Sequence, residues 1–203
     1  SNPGNLNHLT NFNLSGGGGG GGGTKANCVR AAGNYAYFTT YDASGLFVVN
    51  ISNPSNPQSL GTVSSTSNYL LENLDLNGNT LAVCAHTDGV LFYDISSPSD
   101  PVHTASISAN NAWTVVISDN FAYVADEDKI LVVNISNLYS PVNIGEIQMT
   151  NAVKGLAVDN GFLYAALGSD GVDIYTLNDP ENPQYLDNYN TTTLANRIAP
   201  FDG

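Results

Sequence analysis

The stretch GLFVVNISNPSNP (45–57) recurs as GVLFYDISSPSDP (89–101), KILVVNISNLYSP (129–141) and GVDIYTLNDPENP (171–183). The closing prolines, Pro57, Pro101, Pro141 and Pro183, lie 44, 40 and 42 residues apart. Ahead of each copy runs a second block: GNYAYFTTY (33–41), GNTLAVCAH (78–86), DNFAYVAD (119–126) and NGFLYAAL (160–167). A fixed period of this length marks a repeat architecture, in which one supersecondary unit stacks on its neighbours.

Each unit reads as four short strands, A to D. In the first, Asn27 to Ala32 is strand A and Gly33-Asn34 a hairpin turn; Tyr35 to Tyr41 is strand B. After the turn Asp42-Ala43-Ser44, strand C runs from Leu46 to Ser52, and strand D from Gln58 to Ser64 follows the proline loop. Val, Ile, Tyr and Phe suit a pleated, half-buried surface. Gly-Asn and Asp-Gly pairs accept the positive φ of tight hairpin turns. The prolines cannot donate to a ladder, so their loop lies outside it. Four antiparallel strands every 40–44 residues is the period of a β-propeller blade. The fold class is therefore all-β, with no regular helix expected over 24–190.

The motif GL-x-V-V-N/D-I-S-N-P-S-N-P, preceded by Ala-Tyr, resembles the LVIVP repeat family over residues 26–190. The resemblance implies a propeller on a bacterial or archaeal secreted or surface protein. It is expected to be strongest in the first two units. In the third, Lys129 replaces the turn glycine and Leu138 the first proline; in the fourth, Tyr175-Thr176-Leu177 replaces the usual apolar-acid-isoleucine step.

The units divide the chain into blades at 24–67, 68–109, 110–150 and 151–190. Residues 1–15 read as the end of a preceding blade, because Ser1-Asn2-Pro3-Gly4-Asn5 matches Ser52-Asn53-Pro54-Ser55-Asn56. Residues 191–203 read as the start of a further one. Partial blades at both ends suggest an excerpt of a larger propeller. Gly16 to Gly23 is an insertion, read either as a flexible loop or as a stand-in for unidentified residues.

Composition narrows the function. Five basic residues against 18 acidic ones, a net charge of -13, leave no cationic face for nucleic acid or for an anionic membrane surface. No apolar run approaches the roughly 18 residues of a spanning helix, so membrane insertion is not expected. Abundant polar uncharged residues point to an extracellular or cell-surface setting. Cys28 and Cys84 are too few for a disulfide framework; they read as two small buried residues or, alternatively, as a single bridge. Asn-x-Ser/Thr sequons stand at Asn13, Asn50, Asn134 and Asn190, and two of them belong to the strand C motif itself.

Catalytic patterns are scarce. His8, His86 and His103 share no HxH or HExxH spacing, and no nucleophile elbow or phosphate loop occurs. Asp126 and Asp128, within Asp126-Glu127-Asp128, are weak candidates for Ca²⁺, since hard-cation loops supply more oxygens at defined spacing. A solvated hairpin turn is the simpler reading, and no other cofactor is indicated.

Comparing the units with one another locates a site. Turns and proline loops that agree serve the scaffold, and they share one face of the disc. The D–A connections and B–C turns occupy the opposite face and diverge. The start of strand A carries Asn27, Glu72, Trp113, Lys154 and, by weaker alignment, Asn196 beside Arg197; the B–C turns carry Asp42, His86, Asp126 and Asp170. The expected ligand-binding set is Asn27, Glu72, Trp113, Lys154 and His86, clustered at the channel mouth. Trp113 reads either as a recognition anchor or as inter-blade packing. The set favours a non-enzymatic scaffold for a protein or glycan partner, alone or within a larger assembly or filament. The alternative is a propeller domain of a secreted enzyme with its active site on that face. Val48, Phe92, Val132 and Ile174, equivalent in strand C, are expected to be buried between blades.

Overall fold

A computed structural model describes residues 26–40, 45–63, 66 and 69–199. The readings at 1–25, at Asp42 and at 200–203 lie outside these residues, among them His8, the glycine tract and the expected N-terminal strand D.

Sixteen strands form four antiparallel sheets, each in chain order. The first contains β1 (Ala26–Ala32), β2 (Tyr35–Thr40), β3 (Leu46–Asn50) and β4 (Gln58–Thr62). The second contains β5 (Leu74–Asn77), β6 (Thr80–Cys84), β7 (Val90–Asp94) and β8 (Val102–Ile107). In the third are β9 (Ala112–Ser118), β10 (Phe121–Asp126), β11 (Lys129–Asn134) and β12 (Val142–Gln148). The fourth holds β13 (Gly155–Asp159), β14 (Phe162–Ala166), β15 (Val172–Thr176) and β16 (Gln184–Tyr189). No α-helix occurs among the described residues.

The A–B hairpins turn as their dipeptides dictate. Gly33, Gly78, Asp119, Asn160 and Gly161 all take positive φ, the backbone a two-residue hairpin demands. The missing glycine at Lys129 has a physical reason. Asp126 pairs directly with Lys129, so the turn is shorter than in the other units, and the left-handed position falls on Glu127 (φ 59°) instead.

The recurring Asn/Asp-Ile-Ser step caps the proline loop. The backbone N–H groups of Ser52, Ser96 and Ser136 donate to the side-chain oxygens of Asn50, Asp94 and Asn134 at 2.9, 2.8 and 2.9 Å. In the fourth unit Thr176 substitutes its hydroxyl, accepting from the Asn178 N–H at 3.3 Å, the weaker form of the same local turn. The Ser96 N–H holds the Asp94 carboxyl below its ordinary pKa.

Every C–D ladder slips at the same place. The register breaks between Val48/Val49, Phe92/Tyr93, Val132/Val133 and Ile174/Tyr175, leaving Leu60, Thr104, Ile144 and Leu186 as the extra residue of a bulge. A bulge increases local twist and turns the outer edge away from foreign strands.

The sheets stack through three apolar layers. Leu46 and Val48 meet Leu74, Leu81, Val83 and Tyr93 between the first and second sheets. Val90 and Phe92 meet Val115, Ile117, Leu131 and Val133 between the second and third. Ile130 and Val132 meet Leu156, Leu163 and Tyr175 between the third and fourth. Val48, Phe92 and Val132 are at most 3% exposed, as their shared column requires. Ile174 departs from the expectation and is only half-buried. It faces away from the third sheet, and no described sheet lies on that side.

Candidate functional site at the convergence of the inner strands

The first strands of successive sheets, β1, β5, β9 and β13, run side by side around one axis. Where their leading ends converge is a cavity of about 340 Å³. Asn27, Glu72, Trp113 and Lys154, one from each sheet, all line it, as does Arg197. The column inferred from repeat alignment therefore converges in space. Ala195 bridges Gly168 as Ala112 bridges His86, which sets Asn196 in register with Trp113 and brings Arg197 onto the wall. Asn196 itself is exposed and does not line the cavity.

The wall is braced from below. Asn27 Nδ2 donates to the Glu72 carbonyl at 3.0 Å, and Thr39 Oγ1 donates to the same oxygen at 3.1 Å. Asp75, three residues on, accepts from Arg30 Nε of the first sheet at 3.1 Å and from the Ile117 N–H of the third at 2.9 Å. One carboxylate thereby ties three sheets together. Such charge-assisted bonds in a partly buried setting are the stronger kind.

His86 occupies a supporting position. It has positive φ (51°), its Nδ1 lies 3.0 Å from Asn111 Oδ1 and its Nε2 3.5 Å from Glu72 Oε2. Its ring meets Trp113 edge-on, with centroids 5.5 Å apart at 76°. The cavity wall is formed by Glu72 and Trp113, with His86 behind them rather than in the lining. Trp113 stands 39% exposed, so its ring is a wall of the cavity and not filler between sheets.

Asp126 is buried at 1% exposure. It accepts the Asn111 N–H at 2.7 Å and lies 3.9 Å from Lys129 Nζ. Asp128 sits in the turn and is exposed. Among the described residues no three His, Cys, Asp or Glu side chains are grouped to hold a metal ion. Cys28 and Cys84 are free thiols; burial raises the Cys84 pKa well above its ordinary value, so it behaves as a core residue. His103 is exposed at the start of strand D, as expected, with its ring edge-on to Tyr93 at 5.3 Å.

Arg30, Asn73 and Thr114 also line the cavity, outside the set that divergence between the repeats singles out. Arg30 and Asp75 occupy equivalent positions in adjacent repeats with opposite charge, and that complementarity was the available signal.

The LVIVD repeat family model matches residues 23–65 and 109–148. These are the first and third units, not the first two. Both keep Ala-Tyr in strand B and Val-Val-Asn in strand C, whereas the second has Leu81-Ala82 and Phe92-Tyr93-Asp94. No curated protein matches the chain in sequence. Among solved structures, a Bacteroides uniformis protein provisionally named a 6-phosphogluconolactonase superposes with TM-score 0.74 at 13% identity over 85% of this chain and 57% of that one. The periplasmic gluconolactonase PpgL of Pseudomonas aeruginosa gives 0.69 at 11% identity, over 85% and 56%. The computationally designed Ika8 protein gives 0.67 at 13%, over 88% and 53%. The chain spans little more than half the length of these three, and at such identities the likeness concerns the fold. With the LVIVD repeat matched at residues 23–65 and 109–148 and four four-stranded antiparallel sheets, the chain carries LVIVD-type repeats and has the fold of a β-propeller.

Proposed function

We propose that the chain is a non-catalytic recognition propeller, extracellular or cell-surface, that holds a protein or glycan partner at the mouth where its inner strands converge. The observation that carries this reading is the convergence of Asn27, Glu72, Trp113 and Lys154 on one cavity. Equivalent backbone positions force shared geometry, while the side chains differ in every chemical property. A partly exposed tryptophan beside a cation, an acid and an amide is the composition of a binding pocket. The histidine nearby is held by Asn111 and Glu72, which suits a prop for the tryptophan better than a travelling proton carrier.

A second reading is hydrolysis of a lactone or ester by the Glu72–His86 pair. It draws support from their 3.5 Å approach and from the names of two structural neighbours. The experiment is a binding screen of the chain and its Trp113→Ala variant against glycan and surface-protein panels, with gluconolactone turnover measured in parallel. Recognition requires a ligand whose affinity falls at least about tenfold in the variant while the urea midpoint barely moves. Turnover lost in Glu72→Gln, with no panel ligand found, would establish the hydrolase instead.

A further inference from the structure

With 18 acidic and 5 basic residues, the chain carries a net charge of -13. The mouth cavity reverses that bias. The described residues include four basic side chains, Arg30, Lys129, Lys154 and Arg197, and all but Lys129 line this cavity.

Their circumstances differ. Arg30 is engaged by Asp75 at 3.1 Å. Lys154 and Arg197 have no carboxylate within ion-pair distance among the described residues. They stand on touching segments: a Cβ placed on Gly155, next to Lys154, would lie 3.0 Å from the Arg197 Cα. Glycine at that position lets the two segments approach. Both line one cavity, and like charges sharing a cavity repel unless an anion enters it.

We propose that the mouth binds a carboxylate-bearing sugar, the uronate unit of an acidic glycan. Lys154 and Arg197 take its carboxylate, Trp113 packs on the apolar face of the ring, and Glu72 accepts its hydroxyls. The proposal rests on the recognition reading above and names its ligand class. Arginine and lysine together satisfy a carboxylate through charge-assisted hydrogen bonds. The cavity of about 340 Å³ is at the small end of the roughly 300–1,000 Å³ of ligand pockets, the size of one or two sugar rings. Glu72 on the wall separates a uronate from an acidic peptide. A peptide rich in carboxylates brings several to one place and meets repulsion there, whereas a single carboxylate surrounded by hydroxyls finds both a cationic and an accepting wall.

The test is calorimetric titration with three probes: trigalacturonate, its methyl ester as the neutral counterpart, and a hexaglutamate peptide. The chain is compared with its Lys154→Met, Arg197→Gln and Trp113→Ala variants, each checked for an unchanged urea midpoint. Trigalacturonate is expected to bind at least about tenfold more tightly than the ester and to lose at least about tenfold in either cation variant. Its affinity should also fall between 0.05 and 0.5 M salt, as screening shortens the reach of the charges. Equal binding of ester and acid, lost only in Trp113→Ala, overturns the uronate proposal and leaves the recognition reading standing. Tighter binding of the peptide, or no binding by trigalacturonate, overturns the uronate proposal. Trigalacturonate binding unaffected by all three variants overturns both.

Discussion

The hydroxyl of Tyr37, in strand B of the first sheet, donates to the carbonyl of Pro98, in the proline loop of the second, at 2.9 Å. The same bond recurs two units later from Tyr123 to the Pro180 carbonyl, also at 2.9 Å. Both tyrosines are fully buried, so the hydroxyl must find a partner at that depth. Tyr37→Phe and Tyr123→Phe should each cost about 1–2 kcal/mol, the net bond plus the orphaned carbonyl. Urea denaturation measures it; a loss below about 0.3 kcal/mol in both would show that the bond does not bind the sheets together.

The intervening interface solves the same problem without polar atoms. Ala82 stands where Tyr37 and Tyr123 stand, and the next loop carries Leu138 where Pro98 and Pro180 sit. Leu138 packs on the apolar layer that contains Ala82 and Phe92. Sequence comparison registers the Leu138 departure as weakening of the motif. Its cause, the absent tyrosine one sheet earlier, is visible only once the sheets are stacked. Strand order, hairpins and the strand C core column, apart from Ile174, were legible because each depends on local turn chemistry or on a two-residue period. The repeated C–D bulge was not, since its extra residue carries no distinctive side chain. The site column was legible from its divergence within a shared frame. Thr114 was not, because it belongs to the wall only through contacts between sheets; Arg30 is marked only by its opposite charge to the equivalent Asp75.

The core column grades the cost of truncation. Phe92→Ala should cost about 3–5 kcal/mol and Val48→Ala or Val132→Ala about 1–3 kcal/mol, through lost transfer energy and the cavity left behind. Ile174→Ala should cost less than Val132→Ala although it removes more atoms, because Ile174 is half-exposed. Equilibrium unfolding of the four variants checks the order. An Ile174→Ala cost equal to that of Phe92→Ala would mean its outer side is covered.

Alkaline pH should unfold the chain through its buried tyrosines. Burial, with Asp173 close by, pushes the Tyr175 pKa up to about 12, and burial raises Tyr37 and Tyr123 in the same direction. An unfolded tyrosine loses its proton near about 10. The stabilisation from keeping Tyr175 neutral is therefore whole below about pH 10 and is lost as pH rises towards 12. Stability measured across that window should fall steeply, and less so in Tyr175→Phe. An identical slope in the variant would contradict the assignment.

Gly89 takes φ +84°, and a Cβ there would clash with the Ile107 carbonyl oxygen, with the Ile107 carbonyl carbon at 3.1 Å. Backbone cannot yield as a flexible side chain can. Gly89→Ala should cost more than about 1 kcal/mol, whereas Gly145→Ala, with open space around it, should be nearly neutral. Thermal melts of the two variants compare them directly.

Crystals of the chain soaked with trigalacturonate locate the ligand itself. Density should lie in the mouth cavity, with a sugar ring against Trp113 and its carboxylate reaching Lys154 and Arg197. A sugar bound on the proline-loop face or along the outer strands, with the cavity holding only water, would contradict recognition at the convergence of the inner strands.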